Sequence, residues 1–173
     1  MALRPILVAP HPVLKAKAKP VETVDAELRQ MMDDMLETMY DAPGIGLAAP
    51  QIGVGSRVIV MDVAGEDEPK APLFMVNPEL TWVSDEDASY EEGCLSVPEH
   101  YAEVVRPARI RVAYLDRDGK KQELAAEGLL ATVIQHEMDH LEGILFIDHL
   151  SNLKRNMILR KLLKSRKVLE EAS

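Results

Sequence analysis

The sequence predicts an α+β fold in which mostly antiparallel strands pack around a buried helix, with a further helix at the C-terminus. Between residues 57 and 126, short runs rich in β-branched residues are separated by turn-forming residues, as in antiparallel strands. Residues 129–141 are apolar over most of a helical circumference, as in a helix covered on all sides. With 173 residues, 47% of them hydrophobic, the chain can bury a sizeable core, and we expect one domain over residues 1–173.

Three helices are expected. The first covers about 25–41, because Asp25 can cap its first turn and a proline and a glycine at positions 43 and 44 stop it. The buried helix covers about 127–141. The C-terminal helix begins near residue 152, after Ser151 as its N-cap, and runs to about residue 170.

Five strands are expected from the content of β-branched and aromatic residues. They cover residues 57–63, 73–76, 102–105, 109–115 and 121–126. The sequence DRDG at 116–119 predicts a hairpin turn between the last two strands. The acid-rich segment 64–72, which contains Pro69, predicts a loop.

The segment QHEMDHLEG at 135–143 places His136 and His140 four residues apart. On a helix these residues share one face, so both imidazoles can point at one metal ion. Glu137 lies about 100° further round the helix, where it can reach a water molecule on that metal without ligating it. An H-E-x-x-H string arises by chance in about one chain in a hundred of this length. The buried helix around it favours a hydrolytic metal site, because buried histidines need partners.

A catalytic site of this kind uses three protein ligands. The third candidate is Cys94, the single cysteine of the chain, in the segment EEGCLS. A lone cysteine is more often a small buried hydrophobic residue, but a thiolate and two imidazoles would leave one position open for water. We also expect Glu92 and Arg106 to form a supporting ion pair near Cys94, and Asp139 either to orient a ligand imidazole or to serve at the surface.

The segment GIGLAAPQIG at 44–53 is uncharged and contains three glycines. Such a backbone suits close approach by another group, although a simple helix-to-strand connection explains the pattern equally well. It lacks the phosphate-loop pattern G-x-x-x-x-G-K-[ST]. Gln51 could orient a substrate oxygen through its amide N–H groups.

Taken together and in this order, GIGLAAPQ at 44–51, EGCLS at 92–96 and QHEMDHLEG at 135–143 resemble the bacterial type of peptide deformylase. Residues 6–14 also look like the N-terminal stretch of that family, so the resemblance covers essentially the whole chain. It implies a metal-dependent hydrolase that removes the N-formyl group from the formylmethionine of newly synthesised polypeptides and releases formate.

The resemblance implies a role for each matching residue. The metal ligands would be Cys94, His136 and His140, and the general base and acid would be Glu137. The donors to the formyl oxygen would be the Gln51 amide and the backbone N–H of Leu95, and the backbone of Gly46 would touch the substrate.

The pocket for the methionine side chain follows from helix geometry. Leu129, Thr132 and Val133 share the histidine face, and together with Ile45 they could line an apolar pocket.

One position departs from the family pattern: Tyr101 stands where many bacterial members have an arginine that contacts the substrate backbone. A tyrosine cannot supply a charged fork, so recognition beyond the methionine is expected to differ.

The cofactor implied by the resemblance is Fe²⁺, while ligand softness alone would favour Zn²⁺, and another divalent metal is a further alternative.

Two other functions would share part of this set of motifs. A zinc endopeptidase would share H-E-x-x-H but not Cys94 or the GIGLAAPQ loop. A non-catalytic metal module would need four protein ligands and would leave Glu137 without a role.

The net charge of −9 is unevenly distributed. Residues 151–173 carry +5, and residues 1–150 carry −14. A basic helical end on an acidic body favours an anionic partner, and the resemblance points to the ribosome, although a solvated helix end is equally compatible. The sequence contains no platform of basic and aromatic residues, so we expect no specific DNA partner. We find no membrane-spanning run and no signal peptide, and expect a cytoplasmic protein in which the single cysteine stays reduced.

Overall fold

A computed structural model describes the backbone of residues 2–172 and the side chains of residues 2–165. The helices in this part of the chain are α1 (Ala26–Asp41), α2 (Gly128–Leu141) and α3 (Asn152–Ala172). The strands are β1 (Gly46–Ala48), β2 (Val58–Met61), β3 (Leu73–Val83), β4 (Asp87–Cys94), β5 (Val97–Pro107), β6 (Arg109–Leu115) and β7 (Lys121–Glu127). The predicted α+β fold is confirmed.

The strands form two antiparallel sheets. The larger has the order β1-β2-β3-β6-β7, and β4 and β5 form a separate hairpin. Because side chains alternate along a strand, each face of β2 packs against a different helix. Ile59 and Met61 belong to the core that contains Ile134 of α2, whereas Val58 and Val60 pack with the methionines of α1. The metal-binding candidate α2 is therefore buried under the large sheet, as predicted.

The helix caps follow the sequence expectations. Asp25 accepts a hydrogen bond of 2.8 Å from the Leu28 N–H at the start of α1, and Ser151 accepts one of 3.2 Å from Lys154 in the first turn of α3. On its buried side α3 packs through Leu162 against a cluster that contains Val104 of β5 and Phe146. This cluster ties the C-terminal helix to the hairpin that carries Cys94.

The strand predictions were less accurate than the helix predictions. β6 was predicted at its observed bounds, but β1 and β4 were missed, and β3 and β5 extend well beyond the predicted segments. β3 continues through Asn77 and Pro78 because a β-bulge there, with Asn77 at φ 51°, accommodates a shift in the pairing register with β6. β4 has the sequence DASYEEGC, which has weak strand propensity, and it is held by pairing with β5.

The hairpin turn predicted at 116–119 joins β6 and β7, with the Gly119 N–H donating to the Asp116 carbonyl at 3.0 Å. The segment 64–72 lies outside the strands and helices, as predicted. None of the helices in the described part of the chain has the length and apolar character that a bilayer crossing requires.

Candidate metal centre and active site

The buried helix α2 and the end of β4 bring three potential metal ligands together. His136 and His140 are both buried, with ring centroids 5.2 Å apart. Sγ of Cys94 lies 3.4 Å from Nε2 of His140, and the candidate donor atoms of the three residues all lie within 4.8 Å of one another. The two imidazoles that were predicted to share a helix face are thus joined by a thiol from another element, which gives three candidate ligands.

This donor set fits a divalent transition metal. One thiolate and two imidazoles are ligands that zinc and ferrous iron accept in tetrahedral sites. Nδ1 of His136 is already engaged by Glu92, which leaves Nε2 for a ligand bond, and Nε2 of His140 faces Cys94. The residues could therefore hold one metal ion and leave a position open towards Glu137.

A chain of charged groups supports His136 from behind. Nδ1 of His136 lies 2.9 Å from Glu92, and Arg106 donates two hydrogen bonds to the Glu92 carboxylate, at 2.7 and 2.9 Å. Arg106 also holds Asp139 at 2.8 Å, and Asp139 pairs with His149 at 2.9 Å. The expected ion pair of Glu92 and Arg106 is confirmed. Asp139 touches neither ligand ring by hydrogen bonds in this network and reaches His136 only through Arg106 and Glu92.

The same network shifts the pKa values of the two imidazoles in opposite directions. Burial by itself lowers the pKa of His136, but its bonds to Cys94 and Glu92 and the charge of Glu137 outweigh burial and raise that pKa well above its ordinary value. Burial and the positive charges of His136 and Arg106 lower the pKa of His140. Burial raises the pKa of Glu92, whereas its bonds to His136 and Arg106 reverse this effect and hold the pKa below its usual value.

The side chain of Glu137 lies beside the candidate metal ligands. Its Oε1 atom lies 3.9 Å from Nε2 of His140 and has no hydrogen-bond partner among the described residues. Burial raises the pKa of Glu137 to about 7, which is the range in which a carboxylate can both accept and return a proton at neutral pH. The carboxylate also lies against Gly46, where a Cβ atom would come within 2.9 Å of the carboxyl carbon of Glu137.

The side-chain amide of Gln51 has one fixed orientation. Its Oε1 accepts a hydrogen bond of 2.9 Å from the Ala48 N–H, so its N–H groups point the other way, towards Cys94 Sγ at 3.5 Å and Ser96 Oγ at 3.1 Å. Gln51 is buried in the 3-10 turn Ala49–Ile52. The Nε2 group of Gln51 therefore faces the candidate ligand Cys94 and the buried Ser96.

A cleft of about 730 Å³ opens in front of these groups, a size typical of small-ligand sites. Among the predicted metal ligands, catalytic residues and pocket residues, all except His140 line the cleft. The predicted apolar pocket divides into two parts. Val133 and Thr132 are buried in the floor, whereas Ile45 and Leu129 lie exposed at the mouth.

Two neighbours of the site were not predicted from the sequence. The hydroxyl of Ser96, which is fully buried, receives a hydrogen bond from Gln51, and the ring of Phe146 stacks on His136 with centroids 6.1 Å apart. The position of Ser96 inside the EGCLS segment was the available signal for the first. No local pattern marks Phe146.

Comparison with known proteins gives one consistent result. The family model described as polypeptide deformylase matches residues 3–156. A peptide deformylase of Phenylobacterium zucineum is 65% identical over 96% of this chain and 99% of that protein. The peptide deformylase of Rhizobium meliloti is 58% identical over 96% of both chains.

Solved structures agree with the sequence comparison. The crystal structure of peptide deformylase from Ehrlichia chaffeensis in complex with actinonin superposes with a TM-score of 0.91, at 41% identity over 95% of this chain and 98% of that chain. A peptide deformylase from Legionella pneumophila gives 0.90 at 48% identity, covering 98% of both chains. Sequence and fold therefore agree over nearly the whole length, and the chain belongs to the polypeptide deformylase family.

Proposed function

We propose that this chain hydrolyses the N-formyl group of formylmethionine at the start of nascent polypeptides and releases formate, with Glu137 as its general base and acid. The observation that carries the proposal is the buried Oε1 of Glu137, which has no hydrogen-bond partner among the described residues and lies 3.9 Å from Nε2 of His140, in a cleft that the Gln51 side chain also lines. Family membership supplies the substrate class.

Cys94, His136 and His140 would hold the metal. When bound, a divalent cation there polarises the formyl carbonyl and makes a water molecule more acidic. Glu137 takes a proton from the attacking water as the water oxygen bonds to the formyl carbon. Glu137 then returns the proton to the methionine nitrogen as the C–N bond breaks, leaving formate and a free α-amino group.

Two N–H groups stabilise the charge that develops on the formyl oxygen. They are the Gln51 amide, whose orientation is fixed by Ala48, and the backbone N–H of Leu95 next to Cys94. Gly46 lets its backbone approach the substrate because it carries no side chain between the peptide and Glu137. Val133 in the floor, with Ile45 and Leu129 above it, receives the methionine side chain.

The resident metal in this proposal is Fe²⁺, with Zn²⁺ as the alternative that the ligand set also accepts. Metal analysis of protein purified without added metal, with and without oxygen, tests this. Ferrous iron beside Cys94 predicts loss of activity in air, since the thiolate is open to oxidation. Equal activity after prolonged aerobic handling would favour zinc.

The partners in this proposal are formylated nascent chains and, through α3, the ribosome. Leu153 and Met157 are exposed one turn apart on α3, and Lys161 and Lys164 follow on the exposed part of the helix. The double change Lys161→Glu and Lys164→Glu should weaken cosedimentation with ribosomes at low salt, and unchanged cosedimentation would refute the docking. The same proposal places the protein in the cytoplasm, which cell fractionation tests.

The activity test is formate release from a formyl-Met tripeptide by metal-loaded protein. We expect rapid release, none from the acetyl-Met peptide, and loss of about 10²-fold or more in Glu137→Gln with metal retained. Cleavage of internal bonds in an unformylated peptide would instead indicate an endopeptidase.

We also infer one domain over residues 1–173, which a single cooperative unfolding transition would support.

A further inference from the structure

Residues 6–9 form a short stretch outside the strands and helices, called here the N-terminal segment, that lies against two turns of the active site. The Leu7 N–H donates a hydrogen bond of 2.7 Å to the carbonyl of Gln51, and the Ala9 N–H donates one of 2.8 Å to the carbonyl of Ser96. These turns carry the two proposed donors to the formyl oxygen. One short segment therefore holds both of them by backbone hydrogen bonds.

The side chains of the N-terminal segment pack into two different clusters. Ile6 lines the cleft and packs, like Leu95, against the cluster that contains the methionines of α1. Leu7 packs against the cluster that contains Phe146, whose ring stacks on His136. Because close-packed side chains leave little free space, the segment cannot shift without disturbing one of these clusters.

The chain just before this segment is fixed to α1 by one buried carboxylate. Asp34 is 4% exposed, and it accepts hydrogen bonds from the Ala2 N–H at 2.8 Å and from Nε and Nη2 of Arg4 at 3.1 and 2.9 Å. The backbone N–H of Arg4 donates a bond of 3.0 Å to Oγ1 of Thr38, one turn further along α1. Neither Asp34 nor Arg4 is among the described residues that line the cleft.

We propose that Asp34 and Arg4 are positioning residues for the reaction. Through the N-terminal segment they hold the Gln51 amide and the turn at Leu95 at the spacing that the charged formyl oxygen needs. This rests on the proposed deformylase function and adds to it an ion pair outside the cleft. Donors stabilise a developing charge most when they are fixed in advance, because reorienting them during the reaction costs part of the gain. The ion pair therefore raises the rate without touching the substrate.

The expected loss falls on kcat rather than on KM. Removing one oxyanion donor lowers kcat about 10²- to 10³-fold, so a donor that is only held less well should lose part of this, about three- to tenfold. We expect this loss in Asp34→Asn and in Arg4→Gln. KM should stay within about twofold, because the affected interaction forms in the transition state. Arg4→Gln carries the test if Asp34→Asn does not fold, since the Arg4 side chain is partly exposed.

The neighbouring residue on α1 supplies a matched control. Asp33 forms a comparable pair with Arg117, with hydrogen bonds of 3.1 and 2.7 Å, but this pair joins α1 to the turn between β6 and β7. Asp33→Asn should therefore leave kcat unchanged. Amide hydrogen exchange at Leu7 and Ala9 gives a readout apart from activity, and it should be faster in Arg4→Gln but not in Asp33→Asn.

The deciding experiment is a double-mutant cycle, measured as formate release from a formyl-Met tripeptide with kcat expressed per bound metal. Arg4→Gln is made in the unmodified chain and in Gln51→Ala. If Arg4 acts through the Gln51 amide, its effect on kcat should fall to about twofold or less in the Gln51→Ala chain, because the donor that it positions is gone. Thermal unfolding shows that each variant is folded at the assay temperature.

Three results in an active unmodified chain would overturn this inference alone. The first is an equal factor for Arg4→Gln with and without Gln51→Ala, which would show that the two residues act independently. The second is an equal loss of kcat in Asp33→Asn and Asp34→Asn, which would assign the effect to the stability of α1. The third is a raised KM with unchanged kcat. An unmodified chain that releases no formate overturns the deformylase function and this inference with it.

Discussion

Nδ1 of His136 lies 2.9 Å from the carboxylate of Glu92, so one of the two candidate ligand imidazoles is oriented by an acid from the hairpin strand that also carries Cys94. Arg106 fixes that acid in turn with two hydrogen bonds, and all three side chains are buried. Orienting groups of this kind set the direction and basicity of a metal-binding imidazole.

Glu92→Gln should weaken metal binding about 10- to 100-fold, because the amide keeps the shape of the carboxylate but loses its charge towards His136 and Arg106. Metal affinity is measured by competition with a chelator. Glu103→Gln, which removes an exposed carboxylate from the same hairpin, serves as the control. Equal metal affinity in Glu92→Gln and the unmodified chain would show that Glu92 has no such role.

Gly46→Ala should lower kcat by about 10²-fold while the metal content stays the same. The new Cβ atom would overlap the Glu137 carboxylate and displace it from the place where it can accept a proton. Gly55→Ala is the matched control, since a Cβ atom at Gly55 meets nothing within 4 Å. Steady-state kinetics with metal analysis decides the matter, and an unchanged kcat in Gly46→Ala would argue against the position assigned to Glu137.

Gly143→Ala should lower the free energy of unfolding by about 2 kcal/mol or more. Gly143 has φ 75°, a conformation that alanine adopts only with strain, and a Cβ atom there would lie 2.6 Å from the carbonyl carbon of Lys15. Urea unfolding of Gly143→Ala is compared with that of Gly65→Ala, whose nearest neighbour is the flexible end of Glu68 at 3.5 Å. Similar losses in both variants would contradict the expected strain.

Tyr40→Phe should remove a component of the pH dependence of stability above pH 10. Burial and the hydrogen bond of 2.5 Å to Asp62 raise the pKa of Tyr40 to about 12. The unfolded chain loses this proton near pH 10, before the folded chain does, so the free energy of unfolding falls between about pH 10 and 12. The variant lacks this fall and is less stable at pH 7 by about 1 kcal/mol.

Urea unfolding between pH 7 and the alkaline range measures the change in Tyr40→Phe. Tyr101→Phe is the control, because the Tyr101 ring is exposed and the pair of Tyr40 with Asp62 stays intact. If the fall in stability above pH 10 persisted unchanged in Tyr40→Phe, the pKa of Tyr40 would not be its cause.

The helices and the central features of the site could be predicted because local rules decide them. Asp25 as an N-cap, the bounds of β6 and the spacing of His136 and His140 depend on neighbours within a few residues. The strand β4 could not be predicted, because its acidic sequence has weak intrinsic preference and pairing with β5 holds it. The same applies to β3 beyond Asn77, where a bulge carries the strand through a sequence typical of a turn.

The sequence by itself determined that two imidazoles and a carboxylate share one helix, since the period of the helix is a property of the local backbone. The order of three motifs along the chain also determined the family. Only the tertiary structure decided that Cys94 lies 3.4 Å from His140, that Arg106 and Glu92 stand behind His136, and that Tyr101 covers Gly93. These relationships depend on strand register and on the packing of α2 between the sheets, which join segments far apart in the chain and are fixed by the whole core at once.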